Sequence, residues 1–218
     1  MENKIIDAII AQGVLPLYFN ADETVSINIL RTLYRAGIRA VEYTNRGAEA
    51  FANFTAMVNI RNSEMPDMYL GIGTVKNRPD AEKYIAAGAD YLISPGFVPE
   101  IATYAVQNNI LYAPGCMTPT EIIAAENSGI TFIKLFPGNM LGPEFMGSIK
   151  SVFPKLLFMP TGGVEPTAES ISGWLKAGVC AVGMGSQLIT KELMDYKHYE
   201  TLETNTKKVI ETIQSLRG

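Results

Sequence analysis

The sequence predicts an α/β protein, a (β/α)8 TIM barrel preceded by an extra N-terminal helix. Three observations predict it. Eight short apolar runs recur with starts about 20 to 30 residues apart, the length of one strand, one helix and two short turns. The runs are apolar on both faces, as strands of a covered parallel sheet are. Four of the stretches between them close on a glycine, the usual left-handed cap of a helix. The chain has 218 residues, near the low end of the roughly 200 to 400 residues over which such barrels occur.

Taken in order, residues 2–12 read as the leading helix and Val14 to Phe19 as the first strand. An open doubly wound sheet is the rival, and it usually follows its first strand with a glycine-rich phosphate loop. Here the strand is followed by Asn20-Ala21-Asp22, with no glycine. The first barrel helix ends at Arg35-Ala36-Gly37, and Arg39 to Thr44 is the second strand. Tyr69 to Thr74 is the third. Pro79 marks the start of the helix that ends at Ala86-Ala87-Gly88, before the fourth strand, Tyr91 to Pro95. Ile110 to Pro114 is the fifth, with Pro114 expected to end it, as Pro95 and Pro137 end theirs. Thr118-Pro119-Thr120-Glu121 then supplies a capping threonine, a proline at the first helical position and a glutamate three residues past the cap. That helix ends at Asn127-Ser128-Gly129, and Thr131 to Pro137 is the sixth strand. Leu157 to Thr161 is the seventh. Pro166 marks the next helix, which carries Trp174 as a core residue and ends at Lys176-Ala177-Gly178. Cys180 to Gly185 is the eighth strand and Tyr199 to Leu216 the last helix. No linker or low-complexity tract divides the chain, so one domain over residues 1–218 is expected.

Composition narrows the function. Hydrophobic residues make up 47% of the chain, enough to bury roughly 70% of the unfolded surface at this length. The net charge is −4, so no basic patch for nucleic acid is implied. No apolar run reaches the ~18 residues of a membrane span. The first residues lack a basic, then apolar, then small-residue export signal, and a cytoplasmic protein is expected. Two cysteines and one histidine give neither a disulfide framework nor a metal-ligand cluster. They also disfavour a Ser-His-Asp mechanism. Cys116 reads as packing, and His198, in a polar stretch, as exposed.

In such a barrel the site lies at the C-terminal ends of the strands. Lys134 sits among apolar neighbours in Thr131-Phe132-Ile133-Lys134-Leu135-Phe136-Pro137. If Ile133 and Leu135 face the helices, period-two alternation turns Lys134 into the barrel. Burial disfavours the ammonium form of a lysine, and a neutral amine can attack a ketone to form a Schiff base. The alternative is a lysine that snorkels from the strand end or pairs with an interior acid. Glu42 shares the other face of its strand with Ala40 and Thr44 and is the natural partner. It reads either as a general acid and base or as that ion pair, and the two readings overlap.

An anion-binding signal follows. Pro160-Thr161-Gly162-Gly163-Val164 ends the seventh run, and Gly183-Met184-Gly185-Ser186 ends the eighth. Loops after these two strands form the usual phosphate site of a barrel, where backbone N–H groups approach an anion closely. Arg46, two residues past Thr44, has a guanidinium fork that suits a carboxylate or phosphate; a surface salt bridge is the other reading. Thr74 closes the third run beside two glycines.

The sequence from about Ile5 to Gly185 resembles the class I aldolases that cleave 2-keto-3-deoxy-6-phosphogluconate and 4-hydroxy-2-oxoglutarate. The resemblance is carried by Glu42 with Thr44 and Arg46, Gly71-Ile72-Gly73-Thr74-Val75, Ser94-Pro95-Gly96, Pro114-Gly115, Lys134-Leu135-Phe136-Pro137 and the two glycine loops. It implies a barrel, usually assembled as a homotrimer, acting on a small keto-acid substrate with no cofactor beyond the lysine imine. It implies that Lys134 forms the imine with pyruvate and that Glu42 is the general acid and base. Thr74, Pro95 and Phe136 would line the pyruvate pocket. Arg46, Gly162, Gly163 and Ser186 would bind the far end of the substrate, with Thr161 and Gly185 in the same loops. Pyruvate and an aldehyde, glyceraldehyde 3-phosphate or glyoxylate, would be the products. The sequence departs from the family in two places. Many relatives carry an arginine where this chain has Phe19, and an apolar residue where it has Asn45. Two rivals remain beside this reading: a phosphosugar enzyme working without an imine, and a silent barrel that binds a sugar acid.

Overall fold

The computed structural model describes residues 4–218. Helix α1 (Lys4–Gln12) leads into β1 (Val14–Tyr18), α2 (Glu23–Arg35) and β2 (Ala40–Thr44). Then come α3 (Ala50–Glu64), β3 (Tyr69–Gly73), α4 (Arg78–Ala86) and β4 (Tyr91–Ser94). They are followed by α5 (Pro99–Gln107), β5 (Leu111–Cys116), α6 (Pro119–Asn127) and β6 (Phe132–Leu135). The chain continues through α7 (Gly138–Lys150), β7 (Leu157–Pro160), α8 (Ala168–Ala177) and β8 (Val182–Met184). It finishes with α9 (Lys191–Asp195) and α10 (Tyr199–Arg217). Residues 2 and 3 of the expected leading helix lie outside the described residues.

All strand pairs are parallel, and the order is β7-β6-β5-β4-β3-β2-β1-β8. The two ends meet: Thr161 bridges Gly183, and the Cys180 N–H donates to the Phe158 carbonyl at 3.0 Å. Eight strands, each followed by a helix, therefore close into the expected barrel.

Period-two alternation divides each strand between two cores. Val41, Tyr43, Ile133 and Leu135 pack outward against the helices. Ala40, Tyr91, Phe132 and Met159 pack inside the barrel, and Ile6 and Ile9 of α1 join them there. Thus α1 plugs the end of the barrel opposite the strand C-termini. Gln12 fixes the plug: its amide donates to the carbonyls of Val14 (2.6 Å) and Ala40 (2.8 Å), and its Oε1 accepts from the N–H groups of Arg39 and Ala40.

The helix ends follow the sequence signals. Gly37, Gly88, Gly129 and Gly178 all have φ between 84° and 103°, where a side chain is strained. Thr118 and Glu121 form a reciprocal capping box. Trp174 is buried, and His198 is exposed. Two details differ from expectation. Pro114 lies inside β5, which continues to Cys116, because the strand pairs first with β4 and then, past Pro114, with β6. The five-residue α9 was not anticipated. Among the described residues no helix is long and apolar enough to cross a membrane.

Candidate active site

Lys134 and Glu42 meet in the middle of the barrel. Strands β2 and β6 lie four places apart in the cyclic order of eight, so their inward side chains approach across the interior. Lys134 Nζ stands 3.6 Å from Glu42 Oε1, and the two side chains are 6% and 1% exposed. Neither carboxylate oxygen of Glu42 accepts a hydrogen bond within the protein. A buried carboxylate with empty acceptor positions and one nearby ammonium is costly unless something else uses those positions.

Glycines make the room. Gly71 is the register partner of Glu42 on β3, and Gly115 is that of Lys134 on β5. A Cβ on Gly73 would collide with Glu42 Oε1, and one on Gly71 with the Tyr91 ring. Without those Cβ atoms the Tyr91 side chain reaches over β3, and its hydroxyl donates to the Val41 carbonyl at 2.6 Å. Burial, followed by the Glu42 charge, holds the Tyr91 phenol well above its ordinary range. Tyr91 therefore acts as a neutral floor to the pair, a part the sequence reading gave to no residue.

At the C-terminal ends of the strands opens a cavity of about 280 Å³, whose lining includes neither Lys134 nor Glu42 but does include the residues two places past each on the same strand faces, Phe136 and Thr44. Around its wall run Phe136 after β6, Thr161 to Val164 at β7, Gly183, Gly185, Ser186, Gln187 and Ile189 at and after β8, Leu17 to Phe19 at β1, and Thr44 and Arg46 at β2, with Met194 of α9. The structure thus gathers Arg46, Phe136, Thr161, Gly162, Gly163, Gly185 and Ser186 around one space. Thr74 and Pro95 fall outside this lining, half-buried at the ends of β3 and β4. Each still touches the centre indirectly: Thr74 follows Gly73, and the Pro95 carbonyl sits where a Cβ on Gly115 would be. Thr74 also has φ 63°, an uncommon backbone state for a threonine that tends to mark functional sites.

Polarity is uneven in this cavity. Arg46 is the one charged residue of its lining, and its guanidinium has no ion-pair or hydrogen-bond partner among the described residues. Gly162 and Gly163 have successive φ values of 99° and 72°, a bend that frees backbone N–H groups for an anion. Thr161 Oγ1 is buried with no partner. The Lys134 ammonium lies 5.2 Å from the centre of the Phe136 ring. Such a site can hold an anionic, carbonyl-bearing molecule over an amine and a carboxylate. Among the described residues no cluster of three or more His, Cys, Asp or Glu side chains is placed to hold a metal ion. Cys116 is packing, its thiol pushed up to about 12 by burial.

Gln187, Ile189 and Met194 were missed by the sequence reading. They lie between β8 and α10, in a stretch too short for helical periodicity. Thr190, which accepts from the Leu193 N–H at 3.2 Å as a helix cap, was the available signal.

Comparison with known proteins points the same way. The profile of the KDPG and KHG aldolase family matches residues 5–204. A 2-dehydro-3-deoxy-phosphogluconate aldolase of Treponema pallidum is 31% identical over 162 residues, 74% of this chain and 75% of that one. The KHG/KDPG aldolase of Escherichia coli is 27% identical over 187 residues, 85% of each chain. A KDPG aldolase structure from Legionella pneumophila, described with pyruvate captured as a covalent carbinolamine, superposes with a TM-score of 0.87 at 25% identity, covering 96% of this chain and 99% of that one. With a family match across nearly all of its length, the chain belongs to the KDPG and KHG aldolases.

Proposed function

We propose that the protein is a class I pyruvate aldolase cleaving a 2-keto-4-hydroxy acid, such as 2-keto-3-deoxy-6-phosphogluconate or 4-hydroxy-2-oxoglutarate. Lys134 Nζ attacks the C2 ketone. The carbinolamine loses water and becomes an iminium, an electron sink for the C3–C4 bond. Glu42 accepts the C4 hydroxyl proton through a water, the bond breaks, and the aldehyde leaves. The pyruvate enamine takes a proton at C3, and water hydrolyses the imine to free pyruvate and Lys134. The iminium does the polarising that a Lewis acid does in metal-dependent aldolases. Thr74, Pro95 and Phe136 enclose the pyruvate half. Arg46, Thr161, Gly162, Gly163, Gly185 and Ser186 hold the far half.

The observation that carries this reading is the buried Lys134–Glu42 pair, 3.6 Å apart inside a barrel whose strand C-termini surround a cavity with an anion-ready rim. The test is incubation with pyruvate and borohydride followed by peptide mapping. A single reduced pyruvate on Lys134 is expected. No adduct on folded protein overturns the imine, and an adduct on another lysine overturns the site. Glu42→Gln should lower turnover by about 10²–10⁴-fold, the usual worth of a positioned acid-base group.

The same reading takes residues 1–218 as one working domain and the protein as a cytoplasmic homotrimer, the usual family assembly. Light scattering at three chain masses and cell fractionation check the last two.

A further inference from the structure

We propose that Phe19 is a specificity-determining residue, and that with Met194 it forms an apolar subsite for the carbon chain of the aldehyde half of the substrate. The inference rests on the aldolase reading and concerns the same cavity.

The position of Phe19 around the mouth makes the case. β1 lies between β8 and β2. Phe19 therefore stands between the neutral N–H and hydroxyl donors that follow β7 and β8 and the one cation, Arg46, that follows β2. Its ring interrupts the polar rim. Ile189 and Met194 line the cavity with it, so the wall is a patch and not a single ring.

The patch is also held in place. The Phe19 ring packs 5.8 Å from the Tyr43 ring. It fills a slot that exists because residue 47 is glycine, since a Cβ there would collide with the ring. The carbonyl of the next residue, Asn20, accepts from Tyr43 Oη at 2.8 Å, Ser26 Oγ at 3.0 Å and Asn53 Nδ2 at 3.0 Å. The Asn20 amide in turn meets Met194 Sδ at 3.8 Å. Four side chains thus fix one turn, and that turn presents a phenyl ring to the cavity. A wall of this kind gains free energy from hydrocarbon and offers no partner to a hydroxyl or an extra charge.

The chemical consequence is acceptance of apolar aldehydes in the synthetic direction. The pyruvate enamine carbon adds to the aldehyde carbon, the aldehyde oxygen takes its proton from Glu42, and hydrolysis releases a 2-keto-4-hydroxy acid with an alkyl tail.

The experiment compares butanal with glyceraldehyde 3-phosphate as acceptors for pyruvate in wild-type protein, Phe19→Gln and Met194→Gln. Each variant is first shown to form the borohydride adduct. The wild type should add butanal. Phe19→Gln should lower kcat/KM for butanal on the order of tenfold, the scale of losing apolar contact in a specificity pocket. The preference for butanal over glyceraldehyde 3-phosphate, read as the ratio of the two kcat/KM values, should fall with it. Met194→Gln should act in the same direction and keeps the test alive if the first variant does not fold. A wild type that forms the adduct but adds no butanal overturns the subsite, as do variants that slow both aldehydes equally or neither. A wild type that forms no adduct refutes the imine reading instead.

Discussion

Replacing Lys134 by methionine removes a charge from the buried interior of the barrel and leaves its partner behind. At 3.6 Å and an effective dielectric constant of about 20, the attraction of the pair is about 5 kcal/mol. Breaking a buried pair from one side costs about 3–5 kcal/mol, because the remaining charge keeps its desolvation penalty. Glu42 has no second donor to turn to, since neither oxygen is hydrogen-bonded and the residue is 1% exposed. For a chain of this size urea dependence is near the top of the usual range, about 3 kcal/mol per molar. The midpoint of unfolding of Lys134→Met should therefore fall by about 1–1.7 M urea. Glu42→Leu should fall comparably, with Lys134 now the stranded charge. The double variant removes both charges and should return to within about 1 kcal/mol of wild type, as apolar replacements of buried pairs do. Circular dichroism in urea measures all four proteins. If both single variants unfold with the wild type, or the double variant loses the sum of the singles, the two groups do not compensate each other in the resting protein. The electrostatic account of the site then fails.

Three further outcomes follow from local geometry. Gly73→Ala places a methyl group against the Glu42 carboxylate; a displacement near 1 Å costs about 10²-fold in rate, so steady-state turnover should collapse while the circular dichroism spectrum holds, and near-wild-type turnover refutes the packing argument. Thr118→Ala removes the capping oxygen of α6 and should lower stability by about 1 kcal/mol, or about 2–4 °C in Tm, without touching turnover. Glu121 is held below the ordinary glutamate value of 4.5, first by the Met117 N–H and then by the cap. Its contribution is complete above that value and is lost as the pH falls through the lower folded value, so the gap between wild type and Thr118→Ala should narrow in acid. Cys116, with its thiol near 12, exposes about 10⁻⁴ of its population as thiolate at pH 8; iodoacetamide should spare it in native protein and modify it in urea, and rapid native labelling by mass spectrometry contradicts the burial.

The strands were legible because a covered parallel sheet makes each one an unbroken apolar run, and the helix ends because a left-handed cap asks for glycine. Lys134 and Glu42 were legible as exceptions to those runs. What escaped the sequence depends on contacts between distant segments. Phe19 shows in the sequence as a departure from relatives, but the slot that seats it belongs to Gly47 and the turn that aims it to Asn53. Tyr91 reads as one more aromatic in a strand. Its reach to Val41 appears only when Gly71 is known to lie between them. The continuation of β5 past Pro114 follows from a change of pairing partner, which no local pattern encodes.

Closure of the barrel is itself part of the chemistry. In an open sheet with the same strand order, β2 and β6 would lie four spacings apart, about 19 Å at 4.8 Å per step. A lysine and a glutamate pointing to the same face cannot span that distance, since their extended side chains together reach about 10 Å from their backbones at ordinary bond lengths. Rolled into a ring of eight, the same two positions face each other and their end groups come to 3.6 Å. The bridge between Thr161 and Gly183 that completes the ring also sets Thr161 and the glycines of β8 beside one another on the cavity wall. One closure thus assembles the reacting pair in the interior and the anion-binding rim above it. Any variant that opens the seam between β7 and β8 should lose imine formation and substrate binding together, whereas changes at Phe19 should alter substrate choice while leaving the imine intact.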